Sequence, residues 1–591
     1  MEKNKSEIRN FVLAVVMSAV VLYVVDMMFP APKTVSVTEP KTQAAQQTAK
    51  IQAVKAPNPE EASFTPAIPS QTEQGLKEAA QKIPEPTQTV EDIVNQSARI
   101  TVKTPSLSGS IRLKGARFDN LELIKYRETL DKDSPFIRLF SPAGTEYPFF
   151  AEFGWTSNDT VELPTAQSVW KTTDKELTPE KPVTLSWENK KGIKFIRQIS
   201  VDKNYMFTVT DRVENNSKSP VTLFNYGLVG RTNVPETAKG AVLEGMVGYL
   251  DGALKETPYA TMDKEKQEAF TTTGGWAGIT DKYWMAILAF EQEAKGVFVK
   301  FTENDTAAGK HYQTDFLMPP KKIDAGEAVH VSTHLFAGAK ELSLIDAYEK
   351  NLNIQRFDLT VDFGWYYFLT KPFFYILRFF YGFFGNMGLA ILFFAFLLRL
   401  IMYPVANKSF INMEKMKLLG PKINELQKKY GEDKLTLNQK MMELYKKEQV
   451  NPASGCLPMF IQIPVFFSLY KVLYISLDLR QAPFYGWIQD LSAPDPSSVF
   501  TLFGMLNWPV PSMLNIGVWP LLMGLTMWLQ QKMSPAPADK TQARVIAFMP
   551  VMMTFLLGNL ASGLVIYWTW SNILAIIQQK SIRYRFKEKN K

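Results

Sequence analysis

The twenty residues from Met387 to Ala406, MGLAILFFAFLLRLIMYPVA, form an apolar run long enough to cross a bilayer, with one permanent charge, Arg399, inside it. An uncompensated guanidinium near mid-span costs roughly 2.5–3.5 kcal/mol on the insertion scale, so the fold must offset it or function must exploit it. Counted from Met387 at about 1.5 Å per residue, Arg399 lies about 18 Å along such a helix, in the half nearer Tyr403. Two arrangements meet the cost. Either the side chain snorkels to the headgroups, or neighbouring helices enclose it in a polar cavity. This segment alone leaves both open.

Further runs of spanning length occur at Phe11 to Phe29, Cys456 to Ile475, Met513 to Met533, Val545 to Leu560 and Gly563 to Ile577, which with the first makes six. The N-terminal run follows Lys3, Lys5 and Arg9 and has no small-residue cleavage site, so it reads as an uncleaved anchor with a cytoplasmic N-terminus. Loop charges test that orientation independently. Residues 407–451 carry ten lysines against six acids and the chain ends KSIRYRFKEKNK, whereas 476–512 hold only Arg480 among basic residues. Positive-inside therefore places the lysine-rich loop, the loop with Lys540 and Arg544, and the C-terminus in the cytoplasm. The region from about Pro30 to Leu359 must then lie on the far face. Much of the net charge of +8 comes from these cytoplasmic segments, for which topology signalling is sufficient cause and anionic lipid or RNA an open alternative.

Within the exported region, Ala31 to Asn95 contain eight prolines and a single aromatic, Phe64, a composition that cannot bury enough apolar surface to offset ordering entropy. A tether is expected there. Period two then takes over, as in Ile193, Phe195, Ile199 and Val201, a DKN turn, and Tyr205, Phe207 and Val209. Similar runs at Ile100 to Val102, Val221 to Leu228 and Val329 to Phe336 predict about 250 residues of β-sandwich. The single cysteine, Cys456, lies outside this domain, which excludes a disulfide scaffold or a thiolate zinc site within it. His330 and His334 share one strand pattern and stand about 13 Å apart at 3.3 Å per residue, too far to ligate one metal. His311 is isolated, and no catalytic site is assigned to the domain.

Gly364 to Gly385, GWYYFLTKPFFYILRFFYGFFG, is dense in aromatics and interrupted by Lys371, Pro372 and Arg378, as expected of a helix lying flat at the outer headgroup boundary. In the lysine-rich loop, Met416, Leu419, Ile423, Leu426 and Tyr430 recur at alternating spacings of three and four. After GED, Thr436 and Gln439 read as a capping box that opens a second helix. A projecting helical hairpin with a partner-binding role is expected.

The ordered strings NPASGCLPMFIQIPVFFSLYKVL (Asn451 to Leu473), QKMSP (Gln531 to Pro535), FMPVMMTF (Phe548 to Phe555) and SGLVIYW (Ser562 to Trp568), after a span ending RLIMYP, resemble the YidC/Oxa/Alb family of membrane protein insertases, in its Gram-negative form. The resemblance implies a multi-span α-helical membrane protein with six transmembrane helices and a periplasmic all-β sandwich domain, in the bacterial inner membrane with both termini cytoplasmic. Its parts would be a signal-anchor span (1–29), a linker (30–95), the sandwich (96–350), the interfacial helix (364–385), a five-span core (386–580) that includes the hairpin (407–451), and a basic tail (581–591). It further implies a hydrophilic groove among the core spans with Arg399 inside it. Gln462, Tyr567, Trp568, Ser571 and Asn572 are polar or amphipathic candidates to share that space, with ordinary interhelical hydrogen bonding equally open for Gln462 and Ser571. Ala395 stands one turn before the arginine where a hydroxyl residue is expected, and Trp568 where a second tyrosine is expected, so the lining would be thinner here. Lys471 is expected to snorkel outward.

Partners implied by the resemblance are nascent membrane proteins, the ribosome, the Sec translocon, the signal-recognition particle receptor and the lipid bilayer, with the protein acting as a monomer. No cofactor is implied. The chain has no GxxxxGK[ST] loop, so no nucleotide hydrolysis and no enzymatic reaction is expected. Two other classes remain to be discriminated: an ion-coupled small-solute transporter using the buried arginine, and an envelope anchor for a carbohydrate-binding-like sandwich. Against the first stands the lack of an inverted hydropathy repeat; the second leaves Arg399 unexplained.

Overall fold

In a computed structural model of the chain, the residues described are 89–235, 243–364, 366–431, 433–451, 457–501, 506, 515–534 and 540–589. The expected first span (Phe11 to Phe29), residues 30–88 of the expected linker and Cys456 lie outside them. The described residues fall into two units.

The first unit is β-rich. An eleven-stranded and an eight-stranded sheet form an antiparallel sandwich in which one short pairing, Thr101–Val102 with Glu176–Leu177, is parallel. Two short helices accompany them, α1 (Val90–Asn95) and α2 (Tyr259–Glu265). Alternation builds the core: along the strand Ile193–Val201, Ile193, Phe195, Ile199 and Val201 are buried, while Gln198 is exposed. The DKN turn forms because Asp202 Oδ1 accepts from the backbone N–H groups of Asn204 (2.9 Å) and Met206 (3.0 Å), after which Phe207 and Val209 return to the core. Phe118 of the larger sheet meets Phe207 of the smaller one edge to face, with centroids 5.4 Å apart. A layer of paired charges lies in this interior. Arg117 donates to Glu152 (2.6 and 2.9 Å), and Arg197 donates to both oxygens of Asp211 (2.6 and 2.8 Å). His330 and His334 lie on one strand, Ala328–Ala339, and His334 Nδ1 is 3.0 Å from Thr208 Oγ1.

The second unit is helical. In order it holds α3 (Leu342–Asn351), a 3-10 turn (Phe357–Thr360), α4 (Tyr367–Phe384), α5 (Met387–Ile401), α6 (Tyr403–Leu418), α7 (Gly420–Tyr430), α8 (Lys434–Lys447), α9 (Leu457–Ile475), α10 (Val518–Met533), α11 (Lys540–Leu557) and α12 (Ser562–Lys589). The run Met387 to Ala406 is not one rod. It breaks at Met402, and α5 and α6 meet at 66°. Pro404 has no N–H for the carbonyl of Leu400, four residues back, and its ring crowds the preceding turn. Among the described residues no single helix is long and apolar enough to cross a membrane, whereas this bent pair is. Large apolar side chains of α5, α10 and α11 are nevertheless exposed, among them Leu400, Leu525, Phe548 and Val551.

α4 buries Thr370, Phe373, Phe374 and Leu377 and leaves Phe368, Phe379 and Phe383 69–78% exposed, so it is amphipathic, with rings on its open face. Lys471 Nζ pairs at 2.5 Å with Asp362, a carboxylate 109 residues earlier. The hairpin α7–α8 closes on Leu419, Tyr445 and Val450 and on a Lys422–Glu448 ion pair of 2.7 Å. Its second helix starts three residues earlier in the sequence than the Thr436 cap expected. Asp433 is the N-cap, accepting from Leu435 N (3.1 Å) and Thr436 N (3.2 Å), because an ionised carboxylate answers both free N–H groups and the positive helix end.

Candidate functional site

Arg399 lies in the last turn of α5 and turns sideways towards α12. Its Nη2 donates to the backbone oxygen (2.8 Å) and the Oγ (2.9 Å) of Ser571, 172 residues away. Both acceptors are neutral, and among the described residues no carboxylate pairs with the guanidinium. The charge is oriented by dipoles and stays without a counter-ion there. The side chain is partly buried and meets a neighbouring helix.

One turn earlier on α12, Tyr567, only 3% exposed, accepts a hydrogen bond of 2.9 Å from Gln462 Nε2 on α9. Spacing explains the pairing. Positions 567 and 571 are four apart and share a helix face, so Arg399 from α5 and Gln462 from α9 converge on one polar stripe. Trp568 and Asn572 are each one residue further and are rotated by about 100° off that stripe. The Trp568 ring lies 4.7 Å from that of Phe466 and packs beside Met523, Leu557 and Val565, while Asn572 Nδ2 donates to Thr526 Oγ1 of α10 at 3.2 Å. Of the six residues expected to share the site, four therefore meet on the stripe and two fasten α12 to other helices. Ala395, one turn before Arg399, is buried and offers no hydrogen bond.

Sequence reasoning passed over Thr526, although a lone hydroxyl inside VWPLLMGLTMWLQ was a signal that something polar opposed it. It also passed over a clasp that joins the C-terminal parts of α6, α10 and α12. Gln579 Nε2 donates to the Met533 carbonyl at the end of α10 (3.2 Å), Lys417 of α6 donates to the same oxygen, and Arg583 lies 3.6 Å from Glu414 of α6. Glutamine at the end of an apolar run carried no distinguishing pattern. What the stripe offers is hydrogen-bond donors and acceptors around one uncompensated positive charge. Among the described residues, no thiolate, imidazole or carboxylate joins it.

A membrane protein insertase YidC of Methylobacterium nodulans is 48% identical to this chain over 513 residues, 85% of each protein. The chain belongs to the YidC membrane protein insertase family. Residues 99–376 match the YidC periplasmic domain and residues 379–589 the 60Kd inner membrane protein family. A second YidC, from Bradyrhizobium diazoefficiens, is 42% identical over 599 residues, covering 98% of this chain and 96% of that one. Another from Rickettsia bellii is 47% identical over 510 residues, 85% and 90% of the two chains. Among solved structures, an active YidC insertase crystal structure with its first transmembrane domain resolved is 18% identical, covers 81% of this chain and 92% of its own, and gives a TM-score of 0.34. The sandwich is thus the YidC-type periplasmic domain, and the helical unit its inner-membrane part.

Proposed function

We propose that this chain is a membrane protein insertase whose working element is Arg399, in a groove among α5, α6, α9, α10, α11 and α12 that opens to the cytoplasm and to lipid. One observation supports the reading: the guanidinium, without a carboxylate among the described residues, donates to Ser571 of a neighbouring helix. Six spans with both ends cytoplasmic, the anchor 1–29, linker 30–95, sandwich 96–350, interfacial helix 364–385, core 386–580 and tail 581–591 complete the arrangement. The loop charges and the exposed rings of α4 support it.

The end state needs no nucleotide. A client span of twenty strongly apolar residues gains on the order of 6–12 kcal/mol on insertion, so the obstacle is carrying polar flanks through hydrocarbon. A polar groove partway across shortens that passage. Arg399, poorly screened, attracts acidic groups of the translocating segment, while Gln462, Tyr567 and Ser571 supply exchangeable hydrogen bonds. Because the arginine's resting partners are neutral, a client carboxylate displaces them without breaking an ion pair, and the attraction stays weak enough for release. Trp568 and Asn572 keep α12 aligned beside the groove. The chain acts as a monomer on nascent membrane proteins, alone or with the Sec translocon, and the basic hairpin and tail meet the ribosome and the signal-recognition particle receptor.

Reconstituted in liposomes without any gradient, Arg399→Ala should insert clients with acidic translocated segments about tenfold more slowly, a factor equal to ~1.4 kcal/mol. Neutral clients should be spared. Arg399→Lys should recover part of the loss, since it keeps the charge but not the planar fork. Equal rates for all three proteins with all clients would refute the role of the charge, and ion-coupled solute flux without insertion would favour a transporter.

A further inference from the structure

The stripe of α12 that receives Arg399 continues towards the inner end of the helix, and one member of it has no partner among the described residues. Gln578 is 8% exposed, and both Nε2 and Oε1 are buried without a hydrogen bond. Seven residues after Ser571, it lies two turns on, about 10.5 Å away, and within about 20° of the same face. Ala575, on the way, is fully buried, and Ile582, four residues beyond, packs against Ala406, Phe410 and Met413 of α6. The stripe Ser571, Ala575, Gln578, Ile582 therefore runs past the 66° corner between α5 and α6. Its neighbour Gln579 donates through Nε2 to the Met533 carbonyl, and only its Oε1 is buried without a partner among the described residues. A primary amide shut away with its donors and acceptor unused is an arrangement that folding disfavours, since almost all buried polar groups are paired.

We infer that Gln578 is a client-contacting residue at the inner end of the groove, and that its ligand is the polypeptide backbone. The inference rests on the insertase reading above and assigns that site a second chemistry. Arg399 selects acidic side chains. A side-chain amide presents both a donor and an acceptor, the complement of a peptide unit, and is indifferent to sequence. When a client segment parts the corner of α5 and α6 from α12, its unpaired N–H and C=O groups meet the amide that the resting protein leaves open. Backbone exposed in a poorly hydrated space then has a partner before the client helix completes its own hydrogen bonds.

The test uses the full-length protein in vesicles with ribosome-stalled clients that differ only in acidic or neutral translocated segments. A photoreactive residue at position 578 should crosslink to both clients alike. Gln578→Leu, similar in volume and without the amide, should melt at or above the wild-type temperature yet insert both clients about fivefold more slowly, the factor that the net contribution of one hydrogen bond gives. Wild-type insertion by Gln578→Leu would overturn the proposal. So would a lowered melting temperature without crosslinks, which would make the amide structural. Arg399→Ala separates the two readings: if it fails to distinguish the clients while Gln578→Leu slows both, only the charge reading falls. If it distinguishes them while Gln578→Leu inserts normally, only the present inference falls.

Discussion

Arg197 occupies a place in the Ile193–Val201 strand where alternation asks for an apolar side chain. It is fully buried, directly opposite Asp211 on the neighbouring strand, with its guanidinium 5.0 Å above the ring of Trp170. The period-two pattern correctly predicted the inward face and could not say that one inward residue would be charged. The partner is chosen by strand register, and the stacking ring comes from a segment outside the named strands. His311 tells a similar story: isolated in sequence, it is 1% exposed, with Nδ1 3.0 Å from Thr232 Oγ1. Burial, opposed by a hydrogen bond to Gln313 and reinforced by Arg117, lowers its pKa to about 4. The folded state therefore keeps the imidazole neutral where the unfolded chain protonates it. Its contribution is fully present above pH ~6.5 and is lost as pH falls towards 4, at up to about 1.4 kcal/mol per unit. His334, also lowered by burial, acts in the same direction. Melting of the sandwich should fall between pH 7 and pH 5, and His311→Asn should flatten that fall. An equally steep fall in the variant would place its origin elsewhere.

At the scale of elements, α4 shows how a helix legible by composition is positioned by contacts that are not. Its aromatic density announced an interfacial helix, and Lys371 read as an interruption. Lys371 is in fact its anchor: Nζ lies 2.8 Å from Asp358 and 3.4 Å from Asp346, joining α4 to the 3-10 turn and to α3. Tyr367 and Tyr375 donate to the same two carboxylates. Asp358 is 3% exposed at its side chain and has one further cation, Arg356 at 3.3 Å, so removing the lysine leaves a buried carboxylate with half of its compensation. Lys371→Met should lower the unfolding free energy by about 2–4 kcal/mol, and adding Asp358→Asn should restore most of it. Thermal melting in detergent checks both, and equal losses in single and double variants would mean that this pair does not hold the helix. The corner between α5 and α6 was written in Pro404, yet its 66° depends on what packs beneath it. The start of α8 was misplaced because two capping signals, Asp433 and Thr436, stood three residues apart and only one could take the helix end.

For the molecule as a whole, the expected basic tail is largely a continuation of α12, which runs to Lys589, with Ile582 in the α6 cluster and Arg583 near Glu414. A ribosome-binding role is therefore best tested by removing residues 584–591, which leaves those contacts in place. Ribosome co-sedimentation should be lost, and unchanged co-sedimentation would assign the charges to topology alone. By itself the amino-acid sequence determined the class of the protein, a β-rich domain beside apolar helices with one charge among them. Periodicity, hydropathy and loop charge are local properties that survive without a fold. Tertiary structure alone decided which polar groups share a space. Arg399 meets Ser571 across 172 residues and Lys471 meets Asp362 across 109, and no local pattern encodes such pairings. They follow from where helices cross and which faces they turn to one another, and burial makes each pairing count because an unmatched charge there has no water to fall back on.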